Sequence, residues 1–530
     1  MIYTRKKGSV LVFSLIVLSI VLSTALSITA VNVSNRKSAA STAQSVQSFQ
    51  TADTATEKVM KAIYNGNYAD LTALYNAIKD TNPGAPASTC PGVLNLAVAG
   101  GVAQVKFSDT SGVALVNGDC TSTLWRDTVA RVKVEGSGSA SGGATRVIEV
   151  GIAPLSSMAW GANGSGQLGD GTTGTDRLSP VSTVGGSKWK SVSAGDSHVL
   201  AVRTDGTLWA WGEGGNGRLG RGSNTDASSP IQIGTDTDWE SVSAGESHSL
   251  GIKTNHTLWA WGNGGQYRLG NNSTNDVYTP TQISACASSC PAGGWKSVSA
   301  GLIDHSLAVG MDSTLWSWGD GGRYKLGNNS TNNVHIPTQI GTGNTCNSAA
   351  CPPGWKSISA GDLYSIAIGT DDKLYVWGSG TNYQLGTNST NDEHTPRLIP
   401  TPAGATWLSV AAGENHVLGI RSDGANNGTL WSWGSNAEGQ LGKGSTGGND
   451  VQTPQQIGSS TDWKFVSAGY RHSSALKTNG TNRDLHVWGN NNHGQVGDGG
   501  TSNTGNVGTP VAGNWQTVDG GNTFSVGVRR

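Results

Sequence analysis

The apolar residues at the start of this chain form one uninterrupted run. Ser9 to Val33 is uncharged and mostly apolar, and it follows the basic residues Arg5, Lys6 and Lys7. At about 1.5 Å of rise per residue, a helix of this length can cross a hydrocarbon core of roughly 30 Å. Basic flanks stay on the cytoplasmic side of a membrane, so the pattern predicts that the rest of the chain is exported.

After this run the apolar positions change to helical spacing. Residues 35–79 contain no proline and one glycine, and apolar residues recur three or four positions apart, as at Val59, Met60 and Ile63. This spacing predicts an amphipathic helix that continues the apolar run, so the helix as a whole covers residues 9–79. Asn82-Pro83-Gly84 then ends it, and four apolar runs separated by Gly/Ser turns predict a small antiparallel sheet over residues 80–153.

A Lys-Lys-Gly sequence before such a helix resembles the type IV prepilin class, which covers pilins and type II secretion pseudopilins. In that family a dedicated peptidase cuts after the glycine, so residues 1–8 would be the leader, Gly8 its last residue and Ser9 the first mature residue. The family usually has Glu at the fifth mature position, where this chain has Phe13. Loss of that Glu is typical of tip pseudopilins and some minor pilins. The alternative is a secretory signal cut near Ala25, which would release a soluble protein.

The remainder of the chain repeats one pattern seven times. Each unit has a Trp-Gly pair, and a second series of Trp alternates with these pairs. Six members of the second series open a Trp-x-x-Val/Ile-x-Ala-Gly segment, and the seventh, Trp515, has Gly-Gly in place of Ala-Gly. A hairpin signature follows, with a turn such as Asp205-Gly206. Seven units of several short strands predict a β-propeller rather than an open solenoid, with the tryptophans as structural anchors. The Trp-Gly pairs begin at Trp160, Trp211, Trp261, Trp318, Trp377, Trp433 and Trp488.

The motifs Trp-Gly-x-Asn-x-x-Gly-Gln-Leu-Gly and Val-x-Ala-Gly-x-x-His resemble the regulator of chromosome condensation repeat family. This resemblance implies a seven-bladed propeller over residues 154–530, so the fold class is mainly β. The family includes a nucleotide-exchange factor for a small GTPase, chromatin binders and protein-binding modules such as a secreted β-lactamase inhibitor. Residues 156–161 and 524–530 are each half of a hairpin, so we expect the two ends to pair and seal the ring.

Composition and charge limit the classes of function that the chain could have. The 77 Gly and 19 Trp suit a turn-dense packed β structure, and the net charge is −1. Residues 154–530 carry 22 basic and 27 acidic residues, which argues against nucleic acid as a partner. The sequence has no Ser nucleophile elbow, His-Glu-x-x-His or Walker loop, so we predict no catalytic residue, metal or cofactor. A hydrolase with an unrecognised site is a third, competing function class.

Histidine recurs after the Ala-Gly of five units, but two copies carry Tyr364 and Phe524 there. Metal ligation or catalysis would not tolerate those replacements, so we predict half-buried rings that pack within the blades. The histidines are His198, His248, His305, His416 and His472.

The six cysteines fall into three local pairs. In an exported chain such pairs are most simply disulfides, although a Cys₄ zinc site from the two propeller loops is an alternative with unusual ligand spacing. The pairs are Cys90 with Cys120, Cys286 with Cys290, and Cys346 with Cys351.

Three consecutive units depart from the repeat together and form a candidate binding arc. Each has Tyr two residues before the Leu of the Gly-Gln-Leu-Gly element, where the other units have Gly, and each continues into Asn-Ser-Thr-Asn. Tyr and flexible amides are what protein or carbohydrate recognition tends to use, whereas recent duplication would copy the loops without any binding role. The arc residues are Tyr267, Tyr324, Tyr383, Asn272, Asn329 and Asn388.

The sequence therefore predicts a non-enzymatic minor pilin or tip pseudopilin of a bacterial inner membrane and cell surface. Residues 9–33 would lie in the membrane, and the helix would pack against other pilin-like subunits. The propeller would present an adhesive or binding head to an extracellular protein or glycan. The competing prediction is a secreted soluble propeller that acts as a protein-binding or inhibitor module.

Overall fold

The computed structural model describes residues 94–98, 101–108, 131–138, 145–151, 156–342, 352–424, 427–480, 482–511 and 513–529. Gly8, Ser9, the predicted helix over 9–79 and its membrane segment lie outside these ranges, as do Cys90, Cys120, Cys346 and Cys351. No helix within the described ranges is long and apolar enough to cross a membrane.

The chain divides into two compact units, Met1–Pro154 and Leu155–Arg530. In the first unit, four strands pair in chain order as an antiparallel sheet, as the alternating apolar pattern predicts. They are β1 (Leu94–Val98), β2 (Gly101–Ser108), β3 (Arg131–Gly138) and β4 (Thr145–Gly151).

The second unit is a seven-bladed propeller built from 27 strands. The chain enters it through β5 (Ser156–Gly161) and β6 (Arg177–Ser187). Blade 1 contains β7 (Trp189–Ala194), β8 (His198–Arg203), β9 (Leu208–Gly212) and β10 (Ala227–Gln232). Blade 2 contains β11 (Trp239–Ala244), β12 (His248–Lys253), β13 (Leu258–Gly262) and β14 (Val277–Ile283). Blade 3 contains β15 (Trp295–Ala300), β16 (His305–Gly310), β17 (Leu315–Gly319) and β18 (Val334–Ile340).

The remaining blades follow the same order. Blade 4 contains β19 (Trp355–Ala360), β20 (Tyr364–Gly369), β21 (Leu374–Gly378) and β22 (Glu393–Leu398). Blade 5 contains β23 (Thr406–Ala412), β24 (His416–Ser422), β25 (Asn427–Gly434) and β26 (Val451–Gln456). Blade 6 contains β27 (Trp463–Ala468), β28 (His472–Asn479) and β29 (Asn482–Gly489), and blade 7 ends with β30 (Trp515–Gly520) and β31 (Phe524–Arg529). Short 3-10 turns lie at Gly215–Gly217, Gly265–Tyr267 and Gly322–Tyr324.

Blade 7 seals the ring with strands from both ends of the propeller. Its order is β30-β31-β5-β6, and β31 pairs with β5 from Phe524 opposite Gly161 to Arg529 opposite Ser156. The predicted closure is therefore confirmed. Blade 6 is the irregular one: single bridges, Gly489 to Thr504 and Leu485 to Val511, replace a fourth strand.

The first strands of neighbouring blades lie side by side around the centre of the ring. Side-chain oxygens link several of them: the Ala244 N–H donates to Ser193 Oγ at 3.1 Å, and the equivalent bond recurs from Ala300 to Ser243 at 2.9 Å. At the seam the Ala194 N–H donates instead to the carboxylate of Asp519, at 2.9 Å. These cross-blade bonds fix the angle between blades, so each residue on one blade has a defined neighbour on the next.

Candidate binding face

The propeller has two faces, and the antiparallel order of each blade assigns the loops to them. The loops after the first and third strands share one face, which we call the loop face, and the hairpin turns and blade connections lie on the other. Arg268, after the third strand of blade 2, pairs with Asp304, after the first strand of blade 3. The disulfide between Cys286 and Cys290 lies in the β14–β15 connection, on the opposite face.

The repeated histidines link each blade to the next. His198 is fully buried, and its Nε2 lies 3.0 Å from Oγ of Ser249, which itself donates to the Arg218 carbonyl oxygen at 2.8 Å. Because the Ser hydroxyl uses its only proton on that carbonyl, Nε2 must carry the imidazole proton and Nδ1 is the bare nitrogen. Nδ1 has no hydrogen-bond partner and faces Gly195. Burial therefore lowers the pKa of His198 well below its usual value, and the ring stays neutral.

Four more histidines repeat this bond, so the rings are fully buried rather than half-buried as the sequence predicts. The two exceptions occur where the next blade has Val instead of Ser. Tyr364 faces the blade of Val417 and donates its hydroxyl to the His416 carbonyl at 2.6 Å, and Phe524 packs in one core cluster with Val199. A Ser after the next unit's His position was the sequence signal for this link.

The seven Trp-Gly tryptophans also connect neighbouring blades. All are fully buried, and each indole N–H donates to a backbone carbonyl of the preceding blade, such as Trp261 to the Arg218 carbonyl at 2.9 Å. The last Gly of the Gly-x-Leu-Gly element has a positive φ and packs against the indole. At Gly220 a Cβ would lie 2.9 Å from Nε1 of Trp261.

A group of acidic residues follows the Ala-Gly positions and surrounds the centre of the loop face. We call Asp196, Glu246, Asp304, Asp362 and Glu414 the acidic rim. Burial raises the pKa of Asp362 to about 7, and the charge of Glu414 adds to this shift. Burial, followed by the charge of Asp304, also raises the pKa of Glu246. The rim was not predicted from the sequence, although Asp or Glu directly follows the Ala-Gly of four units and Asp304 lies three residues after that of blade 3.

Two further groups complete the rim. The Tyr470 hydroxyl, in blade 6, donates to the carbonyl of Leu302, in blade 3, and so joins two distant blades. On the outer side, Arg471 pairs with Glu414 at 2.5 Å.

Within the described residues, no group of three or more His, Cys, Asp or Glu side chains could hold a metal ion.

The arc tyrosines lie on the outer part of the loop face, at the contact between neighbouring blades. Tyr267, Tyr324 and Tyr383 have φ of 62°, 59° and 59°, in the left-handed region that the equivalent Gly217 also occupies at 77°. The Tyr267 ring stacks on His335 of the next blade at 3.7 Å between centroids. The equivalent stack joins Tyr324 to His394, also at 3.7 Å.

The arc asparagines have the same backbone conformation as the arc tyrosines, but their side chains do not take part in the contact between blades. Asn272, Asn329 and Asn388 have φ of 60°, 61° and 59°, where Gly222 in blade 1 has 84°. The Asn272 N–H donates to the His335 carbonyl at 3.1 Å, and the other two make equivalent bonds. All three side chains are exposed. The structure therefore uses the backbone and the Tyr rings for blade contacts and leaves the amides to solvent.

A cavity of about 690 Å³ lies between the outer strand of blade 7 and the segment that covers blade 6. Its lining includes Pro180, Val507, Pro510 and Asp498. The Asp498 carboxylate already accepts bonds from the Asn491 side chain and from a backbone N–H, so it is held in a turn. We therefore interpret the cavity as a groove between blades.

Comparison with known proteins agrees with this geometry. A model of the RCC1-like domain matches residues 156–475, and a model of the regulator of chromosome condensation (RCC1) repeat matches residues 463–495. The chain belongs to the RCC1-like domain family. The matched residues contain most of the propeller.

Among relatives of this RCC1-like chain, the human E3 ubiquitin-protein ligase HERC2 is 29% identical over 322 residues, which are 60% of this chain and 5% of HERC2. The ultraviolet-B receptor UVR8 of Arabidopsis thaliana is 29% identical over 343 residues, which are 64% of this chain and 62% of UVR8. The aligned region thus spans less than two thirds of either relative.

Two solved structures share the propeller fold. Human WBSCR16 superimposes with a TM-score of 0.61 at 20% identity, over 71% of this chain and 99% of that one. Prp20p from Saccharomyces cerevisiae superimposes with a TM-score of 0.60 at 23% identity, over 71% of this chain and 91% of that one. At these identities the likeness establishes the fold alone.

Proposed function

We propose that this chain is a non-enzymatic binding protein whose propeller holds an extracellular protein or glycan on its loop face. RCC1-like propellers generally serve in binding or regulation, which supports this class of function. The ligase activity in the name of HERC2 belongs to a protein of which only 5% aligns here.

One observation carries the proposal: three successive blades keep exposed Asn side chains at positions where the backbone favours glycine. Blades 1, 5, 6 and 7 have Gly222, Gly444, Gly499 and Gly171 there, all with positive φ. Asn adopts this region more readily than most other side chains but less readily than glycine, so the three Asn are kept at a small conformational cost. The three amides are exposed and make no hydrogen bond within the described residues, so a ligand is the use that we propose for them.

The N-terminal region would present this head at a membrane. The proposal rests on the Gly8–Ser9 junction, the apolar run to Val33 and its basic flank. In this arrangement the helix packs with pilin-like subunits at a filament tip, in the inner membrane or at the bacterial surface. The second candidate is a soluble binder released by cleavage near Ala25.

The mature N-terminus distinguishes these two arrangements. The full chain is expressed in a bacterium that has a prepilin peptidase, and the membrane fraction is subjected to N-terminal sequencing. We expect Ser9 as the first residue in the membrane fraction, and replacing Gly8 with Val should leave the leader uncut. A mature chain that starts near Leu26 and is recovered in the medium would overturn the pilin arrangement in favour of the soluble one.

The binding role is tested by exchanging the arc asparagines for the glycine of the other blades. Immobilised full-length protein is incubated with the cell-envelope fraction of the source cells, and the bound material is quantified. The variant Asn272→Gly/Asn329→Gly/Asn388→Gly keeps the backbone conformation and loses only the three amides. We expect it to bind less envelope material while its thermal unfolding midpoint stays the same or rises. Equal binding by the variant would mean that the arc has no part in recognition.

A further inference from the structure

We infer that the arc binds a neutral glycan by stacking its sugar rings on three exposed aromatic residues, Tyr278, His335 and His394. This inference rests on the proposed binding function and specifies its ligand. The three rings and the arc asparagines belong to neighbouring blades on one side of the loop face.

The three rings occupy one structural position. Each is the second residue of the outermost strand of its blade: Tyr278 in β14, His335 in β18 and His394 in β22. All three are exposed. Blades 1, 5 and 7 have Ser228, Gln452 and Leu178 at this position, and blade 6 has no fourth strand among the described residues. Aromatic side chains at this position are therefore confined to three consecutive blades.

Each ring is supported from behind by the preceding blade. Tyr267 lies nearly parallel to His335, with an angle of 18° between the planes, and Tyr324 lies at 17° to His394. Tyr278 rests directly on backbone: a Cβ on Gly217 would lie 2.8 Å from Tyr278 Cδ1. The support holds each ring in one orientation, which reduces the entropy lost when a ligand stacks on it.

The groups beside the rings are mostly neutral hydrogen-bonding groups. Each Asn-Ser-Thr-Asn segment closes on itself, with the Asn275 N–H donating to Ser273 Oγ at 3.1 Å and the same bond repeated in the next two blades. This leaves the amides of Asn272, Asn329 and Asn388 exposed beside the rings. Asn amides both donate and accept, as recognition of vicinal hydroxyls requires. The nearby charges of Arg323 and Asp392 pair with each other.

The surface fits a sugar better than a protein. An aromatic face carries partial negative charge and attracts the weakly positive C–H groups on the face of a sugar ring. A protein interface has an apolar core, usually with large anchors. Among the described residues the exposed large hydrophobics include one of the three rings, Tyr278; the others are Leu178, Val184, Met311 and Leu408. Repetition of one ring and one amide over three blades also suits a ligand that is itself a repeat.

The test exchanges the three rings for the residue of blade 5. The variant Tyr278→Gln/His335→Gln/His394→Gln removes the stacking surfaces, and the control Ser228→Ala/Gln452→Ala changes the same strand position in two blades without rings. Envelope material is treated with periodate, which cleaves vicinal diols, or with protease, and is then offered to each immobilised full-length protein. We expect the control to bind like the wild type and the ring variant to bind about tenfold less. Binding should survive protease and disappear after periodate.

The outcomes separate the glycan inference from the proposed function. Binding that is lost with protease and kept after periodate overturns the glycan ligand and leaves a protein-binding head. Wild-type binding by the ring variant overturns these rings as the site. If untreated envelope does not bind at all, the proposed function itself fails. Tryptophan fluorescence during unfolding confirms that both variants are folded.

Discussion

We predict that the histidine–serine hydrogen bonds between blades stabilise the propeller. The chain offers a natural control, because one contact between blades uses apolar residues in place of this pair. Replacing Ser249 with Val removes the only partner of the buried His198 Nε2–H, while the Arg218 carbonyl keeps its bond from Trp261. A buried donor left unpaired costs about 1 to 3 kcal/mol. We therefore expect Ser249→Val to lower the free energy of unfolding by roughly that amount.

The matched variant copies the blade 7 to blade 1 contact, where Phe524 meets Val199 in one core cluster. Replacing both partners of a hydrogen bond with apolar groups of similar shape is nearly neutral. The double variant His198→Phe/Ser249→Val should therefore recover most of the stability that Ser249→Val loses.

Denaturant unfolding followed by tryptophan fluorescence measures this cycle, because 18 of the 19 tryptophans lie in the propeller. The reasoning would be refuted by a double variant that is as unstable as Ser249→Val, or by a single variant with wild-type stability. Either result would mean that the imidazole proton is not on Nε2, or that the bond contributes nothing to the contact between blades.

Three further changes are expected to act in defined directions. The free energy of unfolding of Tyr383→Gly should exceed that of Tyr267→Gly by about 0.5 to 1.5 kcal/mol, because only the Tyr267 substitution removes a ring stack. Equal unfolding midpoints for the two variants would contradict this. The raised pKa of Asp362, about 7, means that its ionisation costs stability as the pH rises from about 4 to above 7, so Asp362→Asn should stabilise the protein at pH 8 and have little effect at pH 4. A pH-independent effect in thermal unfolding would contradict it. Cys286→Ser/Cys290→Ser should cost at most about 2 kcal/mol in denaturant unfolding, because the disulfide closes a short loop, and a cost above about 4 kcal/mol would mean that it supports whole blades.

The architecture of the propeller followed from the sequence because each unit repeats the same strand and turn pattern. Trp160 and the other Trp-Gly residues marked the blades, and the half-hairpins at Ser156 and Phe524 implied the closure that β5 and β31 make. These features depend on local pattern and on the order of the units, both of which the sequence contains.

The contacts between blades were harder to predict from the sequence. The substitution of Tyr364 for His could be seen in the sequence, but its reason lies in Val417, more than 50 residues away on the neighbouring blade. The acidic rim is not evident from the sequence for a similar reason. Asp362 and Glu246 are far apart along the chain, and their charges interact only once the ring has closed. The arc tyrosines could be located, but not the positive φ that makes them costly.

The closure of blade 7 also determines how the propeller would respond to a pulling force. The chain enters the ring at Ser156, on the face opposite the loop face, and β5 runs from there towards the loop face. A ligand held on the loop face and a pull transmitted through residue 155 would therefore load β5 along its length. Because β31 and β6 are hydrogen-bonded to its two sides, β5 could leave only by shearing both rows of bonds together rather than by opening them one at a time. The strand that completes the ring is thus placed to resist tension.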